Sequence, residues 1–423
     1  MNTPHTAIRI GECIYKPNTN SVAGAYHQLG EEWFYGVQNY DRMPPFFMNL
    51  VSSTDHWVFI ASTGGLSAGR RNAESALFPY YTVDKITENA DNTGHIAVLF
   101  VTKQEKTYMW EPFSDAYKGL YRVQRNLYKN VYGNTLIFEE VNKDLGMTYR
   151  YRWQTSDQYG FVKTATLVNN STQSCSVQVL DGLRNLLPYG ATTALQNGFS
   201  NLLNGYKRNE LDPETGLGIY TLSSTLTDLA EPSESLKATT VWQIGLPDAQ
   251  YLLSTQQLDC FKEGKVISQE TDIRGRRGAY LVQSTLILNG NTDHEWQFVA
   301  EVNQDSGAVV SLINALKGEP NALASQLKAD IERCTDDLVT LVANADGLQM
   351  TGDKLSANHH FSNVLFNIMR GGIFMDNHLI NVADLQEFVL TRNTKILERN
   401  SEFFESLPEK IDVTDLLARA AKT

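Results

Sequence analysis

The chain has 423 residues, of which 42% are hydrophobic and 20% charged, the composition of a folded protein able to bury a large core without disulfides or metals. Its 36 basic and 48 acidic residues leave a formal charge of −12, which argues against a nucleic-acid-binding surface and against adhesion to anionic membranes, although local basic clusters can outvote net charge. No stretch approaches the ~20 apolar residues of a membrane span, Met1–Ile10 has no apolar run of signal-peptide length, and the four cysteines form no Cys-x-x-Cys pair; a cytoplasmic location with reduced thiols is the expectation.

Along the first ~300 residues, short apolar runs rich in β-branched and aromatic residues predict strands. His95–Val101, Thr135–Val141, Thr148–Trp153 and Gly160–Val168 come first. Ser176–Leu180, Gly218–Leu222, Thr239–Ile244, Tyr280–Leu288 and Glu295–Val302 follow. Turn residues such as Asn169-Asn170 and Asp212-Pro213 separate them. Many strands without alternating helices predict an antiparallel sandwich, not a parallel α/β sheet. No internal repeat or low-complexity tract stands out. Near residue 306 the period changes. Leu323, Leu327, Ile331, Cys334, Leu338 and Leu341 form one apolar helical stripe within Asn321–Ala343. Phe361, Val364, Leu365, Ile368 and Met369 form another, with Gly371-Gly372 as its stop. Weaker helical patterns cover Val382–Arg392 and Val413–Ala421. The expected layout is a mainly β domain over residues 1–305 and a helical segment over 306–423.

Ser62–Ile86 is the most conspicuous stretch. Gly64, Gly65 and Gly69 permit positive φ and close approach of backbone to a ligand, and Arg70 and Arg71 follow at once. Arg70 and Arg71 stand where a phosphate loop requires Lys and Ser or Thr, which excludes a nucleotide site. Two readings remain: a loop facing an oligosaccharide or phosphate, or a hairpin whose arginines pair with carboxylates such as Glu74 or Asp84. Arg274, Arg276 and Arg277, with Gly275 and Gly278, form a second basic cluster, read either as an anion-binding loop or, in preference, as an exposed turn before the strand Tyr280–Leu288. Trp33, Phe34, Tyr35, Tyr40, Trp57, Tyr80 and Tyr81 supply the aromatic surfaces that sugars stack on, or core rings. The histidines show no metal-binding spacing, and no nucleophile elbow is present.

Several of these segments together resemble the cellobiose and chitobiose phosphorylase family. They are EWFYG at Glu32–Gly36, DHWVFIASTGGLSAGRRNAESALFPYYTVDKI at Asp55–Ile86, YRWQTSDQYGFVKTATLVNNS at Tyr151–Ser171 and LDGLRNLLPYG at Leu180–Gly190. RRGAYLVQSTLIL at Arg276–Leu288 and EWQFVAEVNQD at Glu295–Asp305 resemble its last sandwich strands, and HHFSNVLFNIMRGGIF at His359–Phe374 its helical linker. The resemblance implies a large antiparallel β-super-sandwich and a linker, which in that family precede a catalytic (α/α)6 barrel. The matching segments stop before such a barrel, so no catalytic residue and no metal is assigned. Arg70, Arg71, Asn72, Trp33, Tyr80 and Arg184 are the candidate substrate-binding residues.

The expected function is a non-catalytic, substrate-shaping region of a glycoside phosphorylase, hydrolase or transglycosylase acting on β-linked glucans or oligosaccharides. Its partners would be the saccharide, the barrel domain and a second copy of the chain in a homodimer. Inorganic phosphate would be a co-substrate of the parent enzyme only. The alternatives are a freestanding carbohydrate-binding sandwich and a small sugar-epimerase-type enzyme, which would need His and Glu side chains converging in one cleft.

Overall fold

The computed structural model describes residues 7–81, 83–224, 236–349, 351–370 and 379–422. Its strands follow from alternation. In Met147–Ser156, the side chains of Met147, Tyr149, Tyr151 and Trp153 are buried on one face, while Arg150 on the other is exposed. This strand lies inside an eleven-stranded antiparallel sheet that runs from Asp272–Arg274 and Lys207–Asp212 at one edge to Glu32–Gln38 and Ala23–Leu29 at the other. A five-stranded sheet is centred on Cys175–Leu186, between Gly94–Lys103 and Gly278–Leu288. A four-stranded sheet spans Phe47–Leu50, His56–Ala61, Leu66–Arg70 and Ala76–Phe78.

The main core joins these sheets. Tyr149, Tyr151, Trp153, Trp296 and Phe298 from the large sheet pack with Leu99, Val177, Val179, Leu183 and Tyr280 from the five-stranded one. The fold is mainly β and antiparallel, as the alternation predicts.

The last long strand, Asp293–Asp305, ends in a cap. The Asp305 carboxylate accepts from the backbone N–H of Ala308 at 2.9 Å and starts the helix Ser306–Leu316. The predicted stripe of the next helix, Pro320–Ala343, has found its cover. Leu323, Leu327 and Ile331 pack on Val162, Trp242 and Val299 on the outer face of the large sheet. The chain divides into two compact units, Met1–Cys334 and Thr335–Thr423.

In the second unit the helix Lys354–Met369 carries the second predicted stripe and buries Phe361 and Leu365. The proposed glycine stop at Gly371-Gly372 lies outside the described residues. This unit also holds a short repeat that departs from the expectation of none. Ile380-Asn-Val-Ala-Asp-Leu385 and Ile411-Asp-Val-Thr-Asp-Leu416 each read strand, cap, helix. Asn381 caps Val382–Arg392, Asp412 caps Val413–Ala420, and Ile380 pairs with Ile411 across two antiparallel strands. Val382, Ile411 and Leu416 form its core. Two matching segments of six residues, 31 positions apart, are too short to stand out against the rest of the chain. Among the described residues no helix is long and apolar enough to cross a membrane.

Candidate functional site

The glycine-rich stretch folds as an inward-facing hairpin. Gly64 has φ +89°, the conformation glycine permits. Gly65 and Gly69 are needed for contact with their own chain: a Cβ would lie 2.0 Å from the Ile86 carbonyl oxygen at Gly65 and 2.5 Å from that of Ser75 at Gly69. The close approach expected toward a ligand is thus used internally. Arg70 is tied down by carboxylates, though not by Glu74; the side chain of Asp84, the other expected partner, lies outside the described residues. Arg70 meets Asp55 at 2.6 Å, Glu301 at 2.6 Å and Asp157 at 3.4 Å. Arg71 also pairs with Asp55, at 3.1 Å, and is itself exposed with φ 58°. The Glu74 carboxylate instead accepts from the backbone N–H of Thr193. Burial pushes the Glu301 carboxyl up to about 7, against the pull of Arg70. Burial, with the Arg70 charge adding, pushes His56 down to about 3. Asn72 caps a short turn by accepting from the Glu74 N–H, and its carbonyl accepts from the Trp57 indole.

The other candidates fall in different places. Trp33 is half-buried in Glu32–Gln38, near the edge of the large sheet opposite to Lys207–Asp212. The Arg184 guanidinium donates to the carbonyls of Ala90, Asp91 and His95 and so fastens a loop. Deeper in the sandwich, Asp181 is fully buried and accepts from Lys163 at 2.5 Å, Trp296 at 2.7 Å, Tyr149 at 3.0 Å and the Gly182 N–H at 2.7 Å. This satisfied network joins the two sheets. His95 stacks on Tyr151 beside it, and burial holds its imidazole well below the ordinary range. His56 meets the Thr54 hydroxyl, and His294 and His360 meet the carbonyls of Gly245 and Asp346; among the described residues no group of three or more His, Cys, Asp and Glu could hold a metal ion.

One of the candidates, Tyr80, does border a cleft. It is 44% exposed, edge-on to Trp57 at 5.7 Å, and follows Pro79, whose carbonyl is held by the Ser67 hydroxyl at 2.7 Å. Opposite lies the helix Thr193–Tyr206, capped by the Thr192 hydroxyl and kinked at Phe199. The space between is open to solvent, with a volume of about 90 Å³. Thr193, Gln196, Asn197, Ser200 and Asn204 line it from the helix. They fall at i, i+3, i+4, i+7 and i+11, so they share a face. The same helix is fixed to the body by Leu203, which packs with Leu187, Ala191 and Leu222.

A β-bulge between Arg184 and Leu186 supplies Asn185 from the sheet end, with φ 60°. Tyr81, Lys207 and Arg277 also line it, and among the described residues the lining has no carboxylate. The Thr193 hydroxyl is buried without a hydrogen-bond partner. Such a surface offers rings for stacking and amides and hydroxyls for hydrogen bonds.

No family model and no curated protein sequence matches the chain. Among solved structures it is similar to a bacterial glucoamylase complexed with acarbose, at 9% identity and TM-score 0.37, over 82% of this chain and 42% of that one. It is similar to a putative kojibiose phosphorylase from the human microbiome at 9% identity and TM-score 0.35, over 64% of this chain and 31% of that one. It is similar to a putative aldose 1-epimerase from Klebsiella pneumoniae at 9% identity and TM-score 0.32, over 71% of this chain and 92% of that one. The chain thus spans less than half the length of the first two.

Of the six candidate residues only Tyr80 lines the cleft, with Arg184 beside the bulge that presents Asn185. The helix Thr193–Tyr206 and Lys207 carry no site motif in the sequence, whereas Arg277 stands in the cluster for which anion binding is the second reading. Arg277 belongs to the cluster read as an exposed turn, and it is exposed. The overlooked signal was a polar stripe at helical spacing in place of an apolar one.

Proposed function

We propose that this chain is a non-catalytic, substrate-shaping sandwich of a carbohydrate-active enzyme, and that its saccharide lies in the cleft between Tyr80 and the helix Thr193–Tyr206. The observation that carries this reading is the facing of two tyrosines by a helical stripe of carboxamides and hydroxyls. A pyranose presents flat C–H faces to rings and hydroxyls to amides, and this lining complements both. Hydrolysis or phosphorolysis of a glycosidic bond in most glycoside hydrolase families uses a carboxylic acid at the leaving oxygen. Among the described residues the lining contains none, which supports a binding role. The resemblance noted in the sequence names the parent as a glycoside phosphorylase, hydrolase or transglycosylase. Phe366, Met369, Phe388, Leu390, Ile396 and Leu417 are exposed in the second unit, and on this reading they seat the barrel domain.

Calorimetric titration of the chain with matched neutral and acidic oligosaccharides tests the reading. Binding is expected, weakened about fivefold or more by Tyr80→Ala or Asn197→Ala, and unchanged by Trp33→Ala at the far sheet edge. A folded sample that binds nothing in the panel, or that alone cleaves any member of it, overturns the proposal.

A further inference from the structure

Lys207 opens the strand Lys207–Asp212 and separates the cleft from a second hollow of about 390 Å³, which Arg208 and Arg274 also line. Four cations therefore border the two spaces, but they are not equivalent. Arg208 and Arg274 share Asp272, at 3.2 and 3.0 Å, and Arg208 also meets Glu210 at 2.8 Å. Their charge is already balanced. Lys207 is only 4% exposed, yet neither its ammonium nor the Arg277 guanidinium meets a carboxylate among the described residues. Burial, with the Arg277 charge adding, pushes Lys207 down to about 8.

A buried ammonium held next to a second cation, in a chain of net charge −12, is a cost to the fold that no carboxylate among the described residues offsets. A neutral sugar would occupy the amide stripe and the orphaned Thr193 hydroxyl. It would leave the two cations uncompensated. An oxyanion on the sugar would supply the missing charge in a partly desolvated place, where charge-assisted hydrogen bonds are strong.

We propose that the cleft selects a saccharide carrying an oxyanion substituent, seated between Lys207 and Arg277 with its ring toward Tyr80 and Tyr81. The substituent is a carboxylate, a sulfate ester or a phosphate ester. This rests on the saccharide reading of the same cleft.

The experiment is titration of the full chain with uronate-containing, sulfated and phosphorylated oligosaccharides, each beside its neutral parent, and with inorganic phosphate and sulfate alone. At least one acidic class is expected to bind about tenfold or more tightly than its neutral parent, with an affinity that falls as salt rises. The class that binds best identifies the substituent. Lys207→Met and Arg277→Gln each remove most of that preference, while Arg208→Gln, at an already paired cation, keeps it. Arg277 is exposed, so its variant folds whatever becomes of the other. Equal affinity for acidic and neutral members overturns this proposal and leaves the saccharide reading standing. Inorganic anions binding as tightly as the acidic sugars, with no contribution from the ring, overturns both. No binding at all also overturns both.

Discussion

Lys207 and Glu301 are buried ionisable groups held away from their usual ranges, and each leaves a separate mark on stability. The Lys207 ammonium titrates near 8 in the fold, against 10.5 for a free lysine. The unfolded chain therefore binds more protons than the folded one between those values. Its contribution to stability is present above about 10.5 and lost as pH falls through about 8. At pH 7 the penalty is on the order of 3 kcal/mol. Lys207→Met should raise the unfolding free energy of the ligand-free protein toward that amount and flatten the rise between pH 8 and 10.5.

Glu301 has the opposite sign. Its carboxyl titrates near 7 in the fold against 4.5 when free, so its contribution is full below about 4.5 and lost as pH rises through about 7. His56, held near 3 against 6.5, loses its own contribution as pH falls through that window, so the two groups oppose each other between 4.5 and 6.5. The difference between wild type and Glu301→Gln isolates the acid. Denaturant titrations from pH 4 to 10.5 on the three proteins check both slopes, and a variant that keeps its slope refutes the assignment of that group. A site cation whose removal stabilises the empty protein is what a charge reserved for a ligand requires.

The helix Thr193–Tyr206 is the element on which the candidate site depends, and it was the least legible. Strands such as Met147–Ser156 and Gly278–Leu288 announce themselves because one face is buried and the period of two is strict. The helix Pro320–Ala343 does so because its apolar stripe is continuous. Thr193–Tyr206 contains Gly198 and Gly205, is kinked at Phe199, and buries fully only Leu203. Its regular face is polar, so an apolar-period reading passes over it. The ion pairs of Arg70 were equally out of reach. Asp55, Asp157 and Glu301 lie 15, 87 and 231 residues away, and only the folded sheets bring them together.

The thin attachment of this helix makes a specific demand. Leu203 is 1% exposed among Leu187, Ala191 and Leu222. Leu203→Ala should cost about 2–4 kcal/mol and weaken saccharide binding, because the amide stripe loses its seat. Phe199, 59% exposed on the same helix, should tolerate alanine in both assays. Thermal unfolding and the binding titration read the two effects. Full binding by a destabilised Leu203→Ala protein would separate the helix from the site.

At the scale of the whole molecule, the chain holds two units of unequal character. The first, Met1–Cys334, contains the layered sheets and all six tryptophans of the sequence. The second, Thr335–Thr423, has no tryptophan and no tyrosine, and its core is small, with Val382, Ile411 and Leu416 at one centre. Stability per residue follows the apolar area buried, and an 89-residue unit that leaves Phe366, Phe388 and Leu417 more than half exposed buries little. The second unit should therefore unfold first. Tryptophan fluorescence sees only the sandwich, whereas ellipticity at about 222 nm is dominated by helices, many of them in the second unit. In a denaturant titration the ellipticity transition should begin at lower concentration than the fluorescence transition, and the two curves should not superimpose. Saccharide, bound in the sandwich, should move the fluorescence transition to higher denaturant and leave the earlier phase in place. Coincident curves would show a single cooperative unit, and a ligand shift in both phases would show that the cleft and the helical unit unfold together.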